Sequence, residues 1–264
     1  MALLAHRLAK SLALASGLIG KPPTGLTVLL YHRIGAGERN IDLSTDAFER
    51  QLAYLSEHCT VVPLAEGLER ASNSLDEDLI ALSFDDGTDD FHIHALPLLE
   101  RYGLPAINYV TTRPVHERTP LRGWGRHTAP AMTWAQLGEC VDSGLVEIGS
   151  HTHTHADLDR VPADQAAEEL RRSQELICHH LQRPCRHFAY PHAVYTPGAE
   201  ALVRERYDTA AVGGWTKNAA GRVDHYRITR IPVTRADGPV YFRAKLAGRM
   251  GAERFLYAVA GKRG

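Results

Sequence analysis

The chain has 264 residues, 44% of them hydrophobic, and a formal net charge of −1. That content supports a sizeable core and argues against disorder, and the near-zero charge excludes a global field that would draw in nucleic acid. The length suits a single α/β barrel.

From the N-terminus, residues 1–20 are apolar and helical in composition, with Arg7, Lys10 and no acid. Without an uninterrupted apolar run or a small-residue cleavage site, they read as part of an amphipathic extension over 1–25, not as a signal peptide. No stretch approaches the ~20 apolar residues of a membrane span. Short apolar runs at 26–32, 79–84, 106–110, 145–148, 187–190, 208–212 and 227–233 predict strands. Several are continuous, which suits strands buried on both faces. Between them, helical spacing predicts helices over 45–57, 89–102, 134–143, 162–181 and 197–206. About seven strands alternating with helices predict a deformed (β/α) barrel with a parallel sheet over 26–234; an open doubly wound sheet is the alternative. The segment 112–130 has little periodicity and reads as a long loop. The last segment, 235–264, is expected to form a basic amphipathic helix, with six Lys/Arg and only Glu253 over 241–264. Such a helix either covers the barrel or makes weak contact with an anionic membrane surface.

The four cysteines, Cys59, Cys140, Cys178 and Cys185, form no Cys-x-x-Cys pair. They read as reduced, which leans towards a cytoplasmic location, peripheral to the inner membrane if the C-terminal helix binds it. The 15 histidines matter through their placement. His32 ends the first strand. Asp85, Asp86 and Gly87 end the second. His151, His153 and His155 follow the fourth, and Pro191 and His192 follow the fifth. In a parallel barrel those ends converge on one rim, where such barrels carry their active sites. Asp85 and Asp86 point in different directions, so one can bind a metal while its neighbour stays free as a base; helix capping is the blander reading. His151 and His155 share a face on a helical turn, with His153 pointing away, whereas an extended segment puts all three on one side. Two imidazoles and a carboxylate make a three-ligand site with open positions.

Ser83-Phe84-Asp85-Asp86-Gly87 and Ser150-His151-Thr152-His153-Thr154-His155 resemble two motifs of the polysaccharide deacetylase family, also called NodB-homology or carbohydrate esterase 4. Phe188-Ala189-Tyr190-Pro191, Tyr31-His32-Arg33-Ile34, Met132-Thr133-Trp134 and Arg230-Ile231-Pro232-Val233 resemble its poly-N-acetylglucosamine deacetylase subgroup. The resemblance spans 26–234 and implies a deformed barrel that removes acetyl groups from N-acetylated sugars of a glycan. It implies that Asp86, His151 and His155 hold a divalent metal, with zinc the expected ion. It implies that Asp85 is the base that takes a proton from the attacking water, that a backbone N–H near Tyr190 supports the oxyanion, and that a histidine protonates the leaving amine. The chain departs from the family in three places. No arginine lies near Ala189 to orient the base; Arg230 is a candidate, with a structural ion pair the blander reading. His192-Ala193 stands where tyrosine-glycine is common. The last strand lacks the usual histidine, so His32, beside that strand in a closed barrel, is the expected acid and His192 the alternative. The competing functions are a catalytically silent carbohydrate-binding barrel and an O-acetyl esterase.

Overall fold

Seven of the apolar runs become the seven strands of a barrel: β1 (Gly25–Tyr31), β2 (Leu79–Asp86), β3 (Ala106–Val110), β4 (Val146–Ser150), β5 (His187–Ala189), β6 (Thr209–Gly213) and β7 (Ile228–Pro232). The structure is a computed structural model and describes residues 22–35, 39–73, 76–122 and 128–253. Nearly all of the expected N-terminal extension lies outside them. Every residue of β1, β2 and β3 is buried, as expected for strands covered on both faces. All seven are parallel. β1 pairs with β2 on one side, Leu26 opposite Leu79 through Tyr31 opposite Phe84, and with β7 on the other, Val28 opposite Arg230. That double pairing closes the sheet and rules out the open alternative. The closure is uneven, because β4 and β5 share one registered pair, Ser150 with Phe188. The short strands Thr60–Val61 and Asn218–Ala219 extend the sheet beside β2 and β1.

The two-residue period sorts each strand's side chains. Leu26 and Val28, Ala81, Ile107 and Tyr109, Ala189, Ala211 and Ile228 fill the interior, with Leu64 and Leu68 of helix α1 (Leu64–Ser72) packed among them. The alternate residues face the outer helices. Phe84 sits there between Tyr31, Phe48 and Phe91, at ring-centroid distances of 5.2, 5.8 and 4.8 Å. Aromatic contacts of this kind add roughly 0.5–1.5 kcal/mol each beyond burial, and here they fix the end of β2 immediately before its two carboxylates.

Two expected elements differ in form. The helix expected over 89–102 begins as a π turn, Phe91–Ala95, and becomes an α-helix only at Leu96–Tyr102. Pro97 has no N–H to donate to Ile93, and the wider turn absorbs that missing bond. The segment expected to be a long loop opens instead with helix α2 (Thr112–Glu117), and Leu121–Arg122 pairs with Thr128–Ala129. Six residues are too short for a periodic signal. At the C-terminal side, helix α3 (Pro239–Leu246) covers the barrel with Phe242 and Leu246 inward, and Lys245 is buried as well. No helix among the described residues is long and apolar enough to cross a membrane.

Candidate active site

The strand ends deliver the polar groups to one rim. Asp85, the inward residue at the end of β2, lies 5% exposed and accepts two hydrogen bonds from Arg230 of β7, at 2.5 Å from Nη1 and 2.8 Å from Nη2. The fork holds both carboxylate oxygens in one plane. Asp86 follows with φ 79° and Gly87 with φ 76°. Two left-handed residues in succession turn the chain sharply, so adjacent carboxylates face the same cavity. A β-carbon at Gly87 would also lie 2.8 Å from the Val110 side chain.

His151 leaves β4 with its Nδ1 2.8 Å from the Ala189 carbonyl, so Nδ1 carries the proton and the Nε2 lone pair faces the cavity. The segment after it is not a helical turn. Thr152 at φ 64° and His155 at φ 63° bring the second imidazole round to the first, with ring centroids 4.9 Å apart. His155 Nε2 lies 3.4 Å and His151 Nε2 3.9 Å from Asp86 Oδ1. One ligand atom from each of Asp86, His151 and His155 falls within 4.8 Å of the others. His153 turns away, with Nδ1 2.9 Å from Thr112 Oγ1. Sequence reasoning missed what shapes this loop. Glu169, buried on helix α4 (Ala163–Leu181), accepts the His153 and Thr154 amides at 2.9 and 2.7 Å and the Thr154 hydroxyl at 2.8 Å. Its signal was a lone acid on the inward face of an amphipathic helix.

His32 stands at the end of β1 and lines the same cleft, about 900 Å³ in volume, as Asp85, Asp86, His151 and His155. Asp90 anchors that corner, accepting the Ile34 amide at 2.7 Å and Arg33 Nε at 3.2 Å. Although Asp90 directly precedes the π turn, its side chain makes no capping bond there. His192 also reaches the cleft. Its Nδ1 is 2.5 Å from Asp157 Oδ1 and its ring 4.8 Å from that of His155. Tyr190 walls the cleft, but its amide donates to Ala211 O at 3.0 Å. The Ala193 and Val194 amides are likewise bonded to Tyr190 O and Pro191 O, and proline has none. The sheet and a tight turn thus use the Tyr190, Ala193 and Val194 amides. His225 lies at the other end of the barrel, 3.0 Å from Ser72 Oγ of α1.

The site's charges support one another. Burial raises the Asp85 carboxyl, but the Arg230 charge, then His151, then the Arg230 hydrogen bonds bring it below the usual carboxylate range. Burial works against Asp86 in the same way, and the His155 hydrogen bond and charge outweigh it. Burial lowers His151 to about 4 against the pull of Asp85, so it is a neutral imidazole at neutral pH. His155 moves the other way: burial lowers it, and its hydrogen bond to Asp86 more than compensates. Burial also lowers His32, opposed by Asp86 and Asp85.

Buried acid–base groups and converging ligand atoms at the C-terminal rim of a parallel barrel define a barrel enzyme. The polysaccharide deacetylase pattern matches residues 72–207, just over half of the chain, which therefore belongs to the polysaccharide deacetylase family. The protein YxkH of Bacillus subtilis (strain 168) is 25% identical over 217 residues, covering 80% of this chain and 72% of its own. The poly-beta-1,6-N-acetyl-D-glucosamine N-deacetylase of Escherichia coli (strain K12) is 27% identical over 143 residues, 50% of this chain but 21% of that protein. The chain thus spans about a fifth of the length of that relative. The structure of IcaB from Ammonifex degensii superposes with a TM-score of 0.71 at 25% identity, covering 87% of this chain and 98% of that one.

Proposed function

We propose that this protein is a metal-dependent hydrolase that removes acetyl groups from the N-acetylated sugars of a polysaccharide or oligosaccharide. The observation that carries the reading is the convergence of Asp86, His151 and His155 within 4.8 Å beside an Asp85 already forked by Arg230. The donor set fits a cation on its chemistry. One carboxylate is held ionised, one imidazole has its Nε2 lone pair fixed by a backbone bond, and a second sits at ion-sharing distance. Two nitrogens and an oxygen suit zinc. A divalent cation held there supplies Lewis acidity, polarising the acetyl carbonyl and acidifying water.

The chain's own groups do the rest. Asp85 takes the proton of the attacking water, and the Arg230 fork fixes which way its oxygens face. His32, which lines the same cleft as Asp85 and Asp86, gives a proton to the leaving amine. Tyr190 and Trp215 wall the cleft and exclude bulk water. A positioned acid favours amide over ester cleavage, since an alkoxide leaves with less help than an amine anion. The E. coli relative's named substrate supports the same class.

Acetate release from N-acetylglucosamine oligomers and from O-acetylated glycans, with and without chelator, tests the reading. Expected is release from the amides that chelator abolishes and zinc restores. Release indifferent to chelator overturns the metal dependence, and release from esters alone makes the protein an esterase. The same proposal keeps the chain in the cytoplasm, peripheral to the inner membrane through its basic C-terminal residues. Equal liposome sedimentation with and without residues 254–264 would remove that contact.

A further inference from the structure

The Arg230 guanidinium lies inside the barrel, 1% exposed, beneath the cleft. Its two Nη atoms serve Asp85, while Nε has no hydrogen-bond partner among the described residues. A cation so placed has lost its water and needs another source of stabilisation. Against it lies the ring of Tyr109, whose centroid is 5.0 Å from Arg230 Cζ. The Tyr109 hydroxyl is buried and also without a hydrogen-bond partner, so the phenol is not there for its O–H. The ring face is what meets the charge, and a desolvated guanidinium over an aromatic face is held by the ring quadrupole.

The register explains how the ring gets there. Tyr109 on β3 stands directly opposite Asp85 on β2 and directly opposite Gly149 on β4. A β-carbon at Gly149 would lie 2.5 Å from Tyr109 Cδ1 and 2.8 Å from Cε1. The absent side chain at 149 is the space the ring occupies. Asp85, Tyr109 and Gly149 therefore form one row across three strands, and Arg230 spans from the ring to the carboxylate.

We propose that Tyr109 is a positioning residue for the hydrolytic reaction: its ring is the floor that holds the Arg230 guanidinium in the plane from which it orients Asp85. The inference rests on the reading of Asp85 as base. It is the ring that acts, so the hydroxyl is dispensable.

The test is acetate release from N-acetylglucosamine oligomers by the full chain loaded with zinc. Tyr109→Leu lowers kcat about 30-fold, which corresponds to ~2 kcal/mol, with KM and bound zinc unchanged. Tyr109→Phe restores kcat to within about threefold of the parent. In an Arg230→Gln background Tyr109→Leu adds no further loss, because the ring acts through the arginine. An unchanged kcat in Tyr109→Leu, an equal loss in Tyr109→Phe, or fully additive losses with Arg230→Gln overturns the inference. If Tyr109→Leu shows no cooperative melt, Tyr109→Met fills the same space and carries the same comparison. Asp85→Asn separates the two claims. Normal turnover there sinks the base reading, whereas an inactive Asp85→Asn beside a normal Tyr109→Leu sinks this inference alone.

Discussion

Strand β7 meets two buried clusters of charge within three residues, and they serve different ends. At Pro232 its carbonyl accepts Lys245 Nζ of α3 at 2.6 Å; the same ammonium lies 2.7 Å from Asp237 Oδ2 and 3.3 Å from Glu253 Oε2. Asp237 also accepts the Thr234 amide and hydroxyl. The ammonium thus donates to two oxygens and forms an ion pair with Glu253, and all three ionisable side chains are 0% exposed. Arg230 and its neighbours carry a different function: the guanidinium forks Asp85, one of its N–H groups has no acceptor among the described residues, and beside it His155 and His151 place Nε2 3.4 and 3.9 Å from Asp86 Oδ1. The first cluster clamps the fold, and the second fits the metal-dependent hydrolysis proposed above.

The largest expected effect strikes the second cluster. Asp85→Asn should keep its zinc and its melting temperature while turnover falls by about 10²–10⁴-fold, the range of a lost general base. Acetate assays and elemental analysis on the same sample check this, and turnover near the parent's would contradict the role. Asp86→Ala should instead lose the metal.

The first cluster should answer in stability alone. Lys245→Met strands two buried carboxylates and should cost ~3–5 kcal/mol in urea unfolding, with kcat of the folded protein unchanged. Burial lowers the lysine pKa, but the charges of Asp237 and then Glu253 outweigh it, so the folded value lies above the ordinary one. Its contribution is therefore complete below the unfolded lysine value of about 10.4 and lost as pH rises through the higher folded value. The parent should lose stability over that alkaline window and Lys245→Met should not; parallel curves would show that the triad is no clamp.

A sharper comparison lies within the second cluster. His32→Asn should lower amide turnover by about 100-fold yet barely affect an activated aryl acetate ester, whose leaving group needs little protonation. Equal losses on both substrates would transfer the acid role to His192. One step further out, Glu169→Gln keeps the shape but weakens the bonds that fold the histidine loop. Zinc affinity should drop roughly 10–100-fold by competition with a chromogenic chelator, as for other residues that support metal ligands. The smallest effect belongs to His153→Ala. Bound zinc should stay at one equivalent and kcat within about threefold, since this imidazole faces Thr112; loss of zinc would return it to the ligand set.

All seven barrel strands were legible in the sequence because strands buried on both faces leave unbroken apolar runs. So was the gathering of acids and histidines at one rim, while the choice of Asp86, His151 and His155 among them came from the family resemblance. The spacing argument succeeded for a different reason from the one first apparent: two left-handed residues, Thr152 and His155, do what a helical turn would have done. Contacts between distant residues left no local trace. Arg230, 145 residues from Asp85, was reached only as a candidate through the family resemblance, and nothing near Glu169 announces the loop it folds. Lys245 looked like part of a basic solvated face because composition counts charges without their partners. Helix α1 was overlooked although Leu64, Leu68 and Ala71 recur at helical spacing.

Barrel closure also sets an order of events during synthesis. β1 and β2 emerge from the ribosome early, but β1's other neighbour is the last strand, and Arg230 follows Asp85 by 145 residues. At ~5–20 residues per second that delay is about 7–30 s. Throughout it, the nascent chain carries Asp85 before the guanidinium that forks it has been made. A translation product that stops short of β7 thus lacks Arg230, and Asp85 is left without the fork that fixes it in the complete barrel.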